Sequence, residues 1–523
     1  MLRRYHAAQW NEPIVMEMGS PGQRGVLPPE VAPGIKAAAG DVLAHVPEEV
    51  RRKTPPCLPE LSQPQVLRHY LRLSQMTLGA DLTPDASLGT CTMKYSPKIN
   101  DVLARLPQCS DLHPLQDEET VQGILQIMYH FGEMLSEISG LDAFSFQPGG
   151  GTQGIYANAC IMRAYHRARG EGARRTEVIT TAFSHPSDAA APAVAGFRVI
   201  TLMPGDHGYP EMDALRAALS GRTAGLMIAN PEDTGIFNPH IREFTDAVHD
   251  AGGLCAYDQA NANGIVGITR AREAGFDMCQ FNLHKTFSTP HSSIGPACGA
   301  IGVTRALERF LPVPVVEYDG GSYRLAYHRT DSIGKIRSFV GMAQVVLRAY
   351  AWVMAVGAEG LRAAAESAVL NNNYLAARLS EIPGVSIPYP LGGRRLEQVR
   401  YSWQRLRDET GVGTEDVRRR IVDFGLQGYF TSHHPVVVPE PFTLEPHDSM
   451  SKEELDEYVS VFREVSREAH ADPESVKSAP HRGAVHRIDA AAIDDPDRWA
   501  MTWRAHVRKG GGTQAGAAGA DGG

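Results

Sequence analysis

The chain has 523 residues and a mass of 56.8 kDa, which is more than one small core supports, so we expect two packed domains and an arm. Hydrophobic and charged fractions of 43% and 21% are those of an ordinary globular protein. A net charge of -9 argues against nucleic acid or an anionic membrane as a partner. The sequence also lacks an apolar run of bilayer length and an obvious secretory signal after Arg3 and Arg4.

The first part of the chain predicts an arm followed by a domain of alternating strands and helices. Residues 1–115 are irregular and rich in proline, with a short helix at 65–73, and they are predicted to wrap a partner. Apolar positions recur at helical spacing across 118–139 and open a large domain. The alternation beyond it predicts a mostly parallel sheet covered by helices. Strands are expected at 142–146, 177–181, 198–203, 224–229, 254–257, 278–283 and 299–303.

The second part of the chain predicts a smaller domain and a tail. A long helical stretch at 339–379 leads into a smaller α+β domain. The residues from 509 onward are rich in Gly and Ala, which predicts disorder. The predicted division is an arm at 1–115, a cofactor-binding large domain at 116–350, a small C-terminal domain at 351–480 and an extended, partly disordered tail at 481–523.

A glycine-rich turn lies between a predicted strand and a predicted helix at 147–154. It reads Gln-Pro-Gly-Gly-Gly-Thr-Gln-Gly. Glycines at such a junction let backbone N–H groups close on a phosphate, and the helix N-terminus adds the positive end of its dipole. Gly150, Gly151 and Thr152 are therefore predicted to bind a phosphate. The turn is weak evidence by itself, because tight turns need glycine for steric reasons.

An aspartate and a lysine follow in the order that pyridoxal 5'-phosphate (PLP) chemistry requires. Asp258 follows one predicted strand, and Lys285 follows the next, 27 residues later. Consecutive parallel strands would bring both side chains to neighbouring carboxyl ends, where α/β folds bind ligands. The lysine can form an imine with PLP, and the carboxylate can keep the pyridine nitrogen protonated. Spacing alone favours a surface lysine and a turn aspartate, because such pairs are common.

Three separate motifs resemble one family. They are Gly-Thr-Cys-Thr-Met-Lys-Tyr at 89–95, His-Pro-Leu-Gln at 113–116 and the Lys285 segment at 282–291. Across about 13–487 the chain resembles subunit 2 of decarboxylating glycine dehydrogenase, the P-protein of the glycine cleavage system, as a divergent member. The resemblance implies an α/β fold of the fold-type I PLP enzymes. It also implies Schiff-base formation by Lys285, a pyridine contact from Asp258 and stacking of His185 on the cofactor ring.

The same resemblance implies further residues around the cofactor and the substrate. His284 and Ala260 are implied as cofactor-binding residues. The implied substrate-side residues are Thr90, Cys91, Thr92, Lys94, His291 and Ile294.

This chain departs from the family pattern near the substrate. The family usually has four glycines after position 291, where this chain has Ser, Ser, Ile and Gly, so Ile294 is expected to narrow the approach. The family's His-Gly-Thr-Asn becomes His-Pro-Ser-Asp at 185–188, and a family glutamate becomes Ile155. A family His-Pro-Pro-Thr segment is replaced at 427–431. These changes leave the predicted cofactor residues in place and alter the predicted surroundings of the substrate. The sequence therefore predicts the reaction class more firmly than the identity of the substrate.

The resemblance implies decarboxylation of glycine and transfer of the aminomethyl group to the lipoyl arm of an H-protein. It also implies a subunit 1 in an α2β2 assembly. An alternative is a divergent PLP enzyme that acts on another small amino acid without a lipoyl carrier, in a specialised pathway. A second alternative, an inactive structural subunit, is disfavoured because both Lys285 and Asp258 are present.

The cysteines and histidines predict no disulfide and no metal site. Seven cysteines are scattered without a CxxC pair, which indicates a reducing compartment and a cytoplasmic enzyme. Cys255 and Cys279 fall in predicted buried strands. His433 and His434 are adjacent, but no cysteine or carboxylate stands at ligand spacing, so they are interpreted as a polar pair at a strand end.

Overall fold

The computed structural model describes residues 2–3, 5–54, 56, 58–79, 82–86, 94–289, 296–488 and 490–509. It divides into two compact units. The larger comprises Met1–Arg4 and Gly79–Ser478, and the smaller comprises Tyr5–Leu78 and Ala479–Gly523. The four-part division predicted from the sequence stays a prediction, and its tail from 510 onward lies outside the described residues.

Fifteen α-helices are present in the described residues. They are α1 (Pro33–Ala39), α2 (Gln63–Gln75), α3 (Lys98–Ala104), α4 (Pro107–Ser110), α5 (Gln122–Ser139), α6 (Gly151–Ala168), α7 (Ser187–Val194), α8 (Met212–Ala218), α9 (Ile241–Asp250), α10 (Ala343–Leu379), α11 (Gln404–Thr410), α12 (Thr414–Arg420), α13 (Lys452–Ala471), α14 (Pro473–Lys477) and α15 (Trp503–Arg508). Short 3-10 helices lie at Val15–Glu17, Glu48–Val50, Glu118–Thr120, Arg305–Phe310, Pro390–Gly392, Ile421–Phe424, Ala490–Ala492 and Pro496–Arg498.

The strands form one large sheet and two small ones. They are β1 (Ala143–Ser145), β2 (Glu177–Thr181), β3 (Arg198–Leu202), β4 (Thr223–Ala229), β5 (Leu254–Gln259), β6 (Met278–Asn282), β7 (Gly299–Val303), β8 (Val315–Tyr318), β9 (Tyr323–Ala326), β10 (Val399–Ser402) and β11 (Pro441–Leu444). The large sheet has the order β1-β7-β6-β5-β4-β2-β3. Strands β2 to β6 are parallel, whereas β7 and β1 are antiparallel at one edge. The predicted mostly parallel sheet is confirmed.

Helices cover both faces of the large sheet, because its central strands are apolar on both sides. Every residue of β5 and β6 is buried. Successive residues of β5 enter different cores: Cys255 and Tyr257 pack with α5, α9 and α10, whereas Ala256 packs with α6 and α7. Parallel strands that are buried on both faces are expected to be continuous apolar runs. Cys255 and Cys279 are fully buried, as predicted.

A third core belongs to the C-terminal part of the larger unit. Strands β10 and β11 pair antiparallel, and helices α11 to α13 pack against them. Its centre is a stack of rings in which Phe442 lies 4.8 Å from Tyr401 and 5.1 Å from Trp403, measured between ring centroids. This part is the smaller α+β body that the sequence predicted.

Helix α10 connects the core of the large sheet with the third core. It begins in the core of the large sheet with Val345 and Val346 and ends in the third core with Leu375 and Leu379. Its helical geometry is interrupted at Gly357, where φ is +64° and ψ is -176°. Residues with a Cβ rarely adopt this backbone conformation, so glycine is required at the break. None of the helices in the described part of the chain has the length and hydropathy that crossing a membrane requires.

The smaller unit is held by polar contacts around one buried carboxylate. Glu12 accepts hydrogen bonds from His69 at 2.8 Å and from Arg72 at 3.2 Å, both on α2. The hydrogen bond from His69 is the main cause that lowers the pKa of Glu12. Helix α2 begins with a capping box between Ser62 and Gln65, which satisfies backbone groups at its first turn.

The ring stack of the third core yields a stability prediction. Phe442→Ala removes the ring between Tyr401 and Trp403 and leaves a cavity, so we expect about 3–5 kcal/mol of destabilisation. Chemical denaturation followed by tryptophan fluorescence measures it. Leu370→Ala on α10 is the control, because Leu370 is 70% exposed and its loss should cost little. Equal effects of the two substitutions would contradict this assignment of the core.

Candidate active site

Asp258 and Lys285 lie at adjacent carboxyl ends of the sheet, as the sequence predicted. Strands β5 and β6 pair in parallel with Asp258 opposite Gln280. Strand β5 continues to Gln259, because that residue still pairs with Phe281, so Asp258 lies within the strand and not just past it. Lys285 follows the end of β6 by three residues, and both Asp258 and Lys285 are buried.

The carboxylate of Asp258 is fixed by two donors. Its Oδ1 accepts a hydrogen bond from the backbone N–H of Ala260 at 2.9 Å and from the side-chain amide of Gln280 at 2.6 Å. Ala260, a predicted cofactor-binding residue, therefore reaches the site through its backbone. A carboxylate held in this way can accept a hydrogen bond from a protonated pyridine nitrogen.

The glycine-rich turn packs directly against strand β6. A Cβ added to Gly151 would lie 2.9 Å from the side-chain nitrogen of Asn282, and one added to Gly154 would lie 2.9 Å from the side-chain oxygen of Gln280. Only residues without a side chain permit this approach of α6. The approach brings the unpaired N–H groups and positive dipole end of α6 to the carboxyl edge of the sheet, where they can bind an anion. Thr152 is exposed in the first turn of α6.

His185 is a neutral imidazole in the same site. Its Nδ1 accepts the backbone N–H of Ser187 at 3.1 Å, in the turn that leads into α7. Burial lowers the pKa of His185 to about 4, and its charge interactions with Asp258 and Lys285 show that the three groups share one environment. A neutral, flat ring suits stacking on an aromatic cofactor. The roles that the sequence predicts for His185, Asp258 and Lys285 in cofactor binding stay predictions.

A second carboxyl group accompanies Asp258. Asp188, in the first turn of α7, is fully buried, and burial followed by the charge of Asp258 raises its pKa well above the usual range. Its protonated form is therefore favoured and can donate a hydrogen bond to the Asp258 carboxylate. In the sequence, position 188 stands out only as a departure from the family's asparagine.

An ionic cluster that sequence reasoning missed faces His185. Asp233, in the loop after β4, accepts a hydrogen bond from His433 Nδ1 at 3.0 Å and lies 3.5 Å from the guanidinium of Arg400 on β10. The rings of His433 and His185 are 4.5 Å apart between centroids. His434 Nε2 contacts the carbonyl of Ser184 at 3.1 Å.

Both histidine rings contact residues that precede them by about 200 positions or more, which the interpretation as a polar pair at a strand end did not specify. Two signals were available in the sequence. Asp233 closely follows a predicted parallel strand, at the end where ligands bind, and Arg400 interrupts an apolar run. Neither signal names a partner.

Lys94 and His284 are buried among protein partners. The Lys94 amine lies 3.3 Å from Asp448 and 3.4 Å from the side-chain oxygen of Asn263, above the ring of Trp352. Burial lowers the pKa of Lys94. His284 Nδ1 lies 3.3 Å from the carbonyl oxygen of Cys298. Thr90, Cys91, Thr92, His291 and Ile294 lie outside the described residues, and their roles stay predictions.

Comparison with known proteins identifies the family. Residues 364–482 match the model of the glycine dehydrogenase C-terminal domain. A Pyrococcus horikoshii protein named "Probable glycine dehydrogenase (decarboxylating) subunit 2" is 43% identical over 503 residues, which cover 96% of this chain and 97% of that protein. An Aeropyrum pernix protein of the same name is 39% identical over 512 residues, which cover 96% and 98%. The chain belongs to the glycine dehydrogenase (decarboxylating) subunit 2 family.

Solved structures support the fold of this family member. A crystal structure of glycine decarboxylase, the P-protein of the glycine cleavage system, in inhibitor-bound form, has a TM-score of 0.69 at 21% identity and covers 84% of this chain and 99% of that chain. The apo structure of a cysteine desulfurase from Thermococcus onnurineus has a TM-score of 0.56 at 14% identity and covers 73% and 95%. The chain therefore has the expected α/β fold with a smaller C-terminal body.

Glu232 is a buried carboxyl group next to Asp233 that makes the stability of the protein depend on pH. It is buried beside Asp233, and burial raises the pKa of Glu232 from 4.5 to about 8. The folded protein therefore holds a proton that the unfolded chain loses above about pH 4.5. Folded stability from this group falls as pH rises from about 4.5 to about 8 and is constant outside that range.

Glu232→Gln tests this titration. The amide cannot ionise, so we expect the variant to exceed the parent in thermal midpoint by roughly 3 °C or more at pH 8.5, with little difference at pH 4.5. Differential scanning calorimetry at both pH values measures the two midpoints. A constant difference at both pH values would argue that Glu232 does not titrate in this range.

Proposed function

We propose that the chain decarboxylates glycine with PLP and passes the aminomethyl group to the lipoyl arm of an H-protein. The observation that carries the proposal is the convergence of Asp258, Lys285 and His185 at one edge of the sheet, beside the glycine-bounded N-terminus of α6, in a chain of this family. Fold alone would not suffice, because one fold hosts many reactions.

The residues present fit PLP at each of its reactive parts. The α6 N-terminus, with Gly150, Gly151 and Thr152, suits a phosphate, and the fixed carboxylate of Asp258 suits a protonated pyridine nitrogen. Lys285 supplies a buried amine three residues beyond β6. When bound, PLP supplies a ring that accepts the electron pair released as a bond to the substrate α-carbon breaks.

The chain's own groups then have separate roles in this proposal. Lys285 would hold the cofactor aldehyde through its buried amine. Asp258 would keep the ring nitrogen protonated, and the protonated carboxyl group of Asp188 would add no second negative charge beside it. His185 would lie against the cofactor as a neutral imidazole and would exclude water there.

The ionic cluster favours a second candidate, a PLP enzyme acting on another small amino acid without a lipoyl carrier. Glycine has no side chain to bind, yet the site contains Asp233 and His433 in addition to the residues that PLP requires. A substrate with a polar side chain would provide a partner for such groups.

The proposed assembly contains a subunit 1 in an α2β2 arrangement and a lipoyl H-protein as acceptor. The family designation as subunit 2 implies a partner subunit. We expect sedimentation of the co-expressed subunits to give a heterotetramer; a purified chain that forms a homodimer with full exchange of the glycine carboxyl with bicarbonate would contradict it. A cytoplasmic location stays a prediction.

Lys285→Ala tests the cofactor assignment. We expect loss of the yellow colour of the purified protein, and borohydride treatment should attach the cofactor at position 285 of the parent and nowhere in the variant. Tryptic mass spectrometry gives the position. Lys98→Ala is the control, since it replaces a lysine at the start of α3, outside the proposed site. Label on another lysine of the parent would refute the assignment.

A substrate screen separates the two candidate functions. Amino acids are added to the PLP-loaded enzyme, and absorbance and carbon dioxide release are followed with and without lipoylated H-protein. We expect release from glycine that rises at least about tenfold with the lipoylated protein. A strong response to another amino acid and none to glycine would favour the second candidate.

A further inference from the structure

We propose that His433 is a proton-transfer residue of this site, whose Nδ1 is held by Asp233 and whose Nε2 serves the sulfur that leaves when the substrate carbon bonds to the lipoyl arm. The inference rests on the proposed function. It adds a named acid to the site.

Asp233 is an ionised carboxylate in a buried place. Its side chain is 6% exposed, and burial alone would raise its pKa, but the hydrogen bond from His433 and the charge of Arg400 hold the pKa of Asp233 below its usual value. An ionised carboxylate has acceptors only, so the hydrogen on the 3.0 Å contact belongs to His433 Nδ1. That assignment leaves Nε2 as the nitrogen that gains and loses a proton.

Arg400 is a positioning residue for Asp233. Its guanidinium is fully buried and donates to Thr443 Oγ1 at 2.6 Å and to Ser432 Oγ, besides its 3.5 Å approach to Asp233. These partners hold the guanidinium in one position. It fixes the carboxylate, and the carboxylate fixes the imidazole, in the order base-orienting group, base, substrate that acid-base sites use.

His433 is the exposed end of this chain of contacts. Its side chain is 22% exposed, against 6% for Asp233 and 0% for Arg400. Its ring stands at 73° to the ring of His185, and Phe430 packs 4.7 Å away on another side. The imidazole is thus held by an ion pair and by two rings, at the edge of the residue proposed to cover the cofactor.

The two histidines of this contact have complementary properties. His185 has a pKa lowered to about 4 by burial, and its Nδ1 accepts from the Ser187 N–H, so it carries no exchangeable charge near neutral pH. His433 instead has its Nδ1 against the Asp233 carboxylate, which leaves Nε2 without that contact. The charged or titratable groups around His433 are Asp233 from the loop after β4, Arg400 from β10, His185 before α7, and His434 beside it.

The transfer step requires one proton. The electron pair on the substrate carbon forms a carbon–sulfur bond, the disulfide bond breaks, and its electron pair leaves on the second sulfur. The carbon is oxidised and the disulfide is reduced. His433 gives its Nε2 proton to the departing sulfur and becomes neutral, and solvent at its exposed edge restores the proton. Release of carbon dioxide needs no proton from this residue.

His433→Asn tests the assignment through two reactions of the same PLP-loaded enzyme. We expect aminomethyl transfer to lipoylated H-protein to fall roughly 100-fold or more, whereas exchange of the glycine carboxyl with bicarbonate falls less than about tenfold. Equal losses in both reactions, or no loss in transfer, would overturn the proposal. His434→Gln is the matched control, because its amide can keep the hydrogen bond to the Ser184 carbonyl.

A chemical label tests the Asp233–His433 pair without any turnover. Diethyl pyrocarbonate modifies neutral imidazole, and peptide mass spectrometry of the PLP-loaded enzyme across pH gives the labelling rate at His433. We expect Asp233→Asn to change the labelling rate at His433 by about threefold or more over this pH range, because the carboxylate no longer holds the imidazole by the 3.0 Å contact. An unchanged rate, or no label at His433 in either protein, would overturn the pairing.

The two experiments fail separately. If the parent enzyme transfers nothing from glycine, the proposed function is wrong, while the labelling profile still decides whether Asp233 controls His433. If the parent transfers and His433→Asn transfers equally well, the function stands and the proton-transfer role is wrong.

Discussion

The parallel pairing of β5 with β6 is the constraint on which the site depends. It sets Asp258 opposite Gln280, so that the Gln280 amide fixes the carboxylate, and it brings the chain to Lys285 three residues after β6 ends. Helix α6 packs against strand β6, and it comes this close because residues 151 and 154 are glycines. A shift of one residue in this pairing would turn Asp258 to the other face of the sheet.

Buried charge is the second organising feature. Asp188, Glu232 and Glu397 are fully enclosed carboxyl groups whose pKa values are raised mainly by burial. Asp233 is enclosed as well, yet it stays ionised because Arg400 and His433 face it. A buried carboxyl group without a cationic partner is more stable protonated than ionised. A buried carboxylate stays ionised only where cationic or hydrogen-bond donor groups face it. The site therefore contains both kinds of acid within a few residues.

The sequence predicted the framework of this site more fully than its details. Each strand of the large sheet was anticipated within a few residues, because buried parallel strands are apolar runs that end at polar residues. The order of glycine turn, Asp258 and Lys285 was also readable. The contacts of His433 could not be predicted in this way. Its partners Asp233 and His185 lie 200 and 248 positions earlier in the chain. Local periodicity carries no information about pairs that only the folded chain brings together.

The break in α10 at Gly357 has a consequence for how members of one family can diverge. The helix packs in the core of the large sheet on both sides of the break, with Val345 before it and Leu361 after it, and it ends in the third core with Leu375. No neighbour lies within 4 Å of where a Cβ would stand, so the positive φ, and not a lack of space, requires glycine at this position. Members of the family can therefore change either core one side chain at a time, whereas a replacement at Gly357 would strain a helix that both cores hold in place.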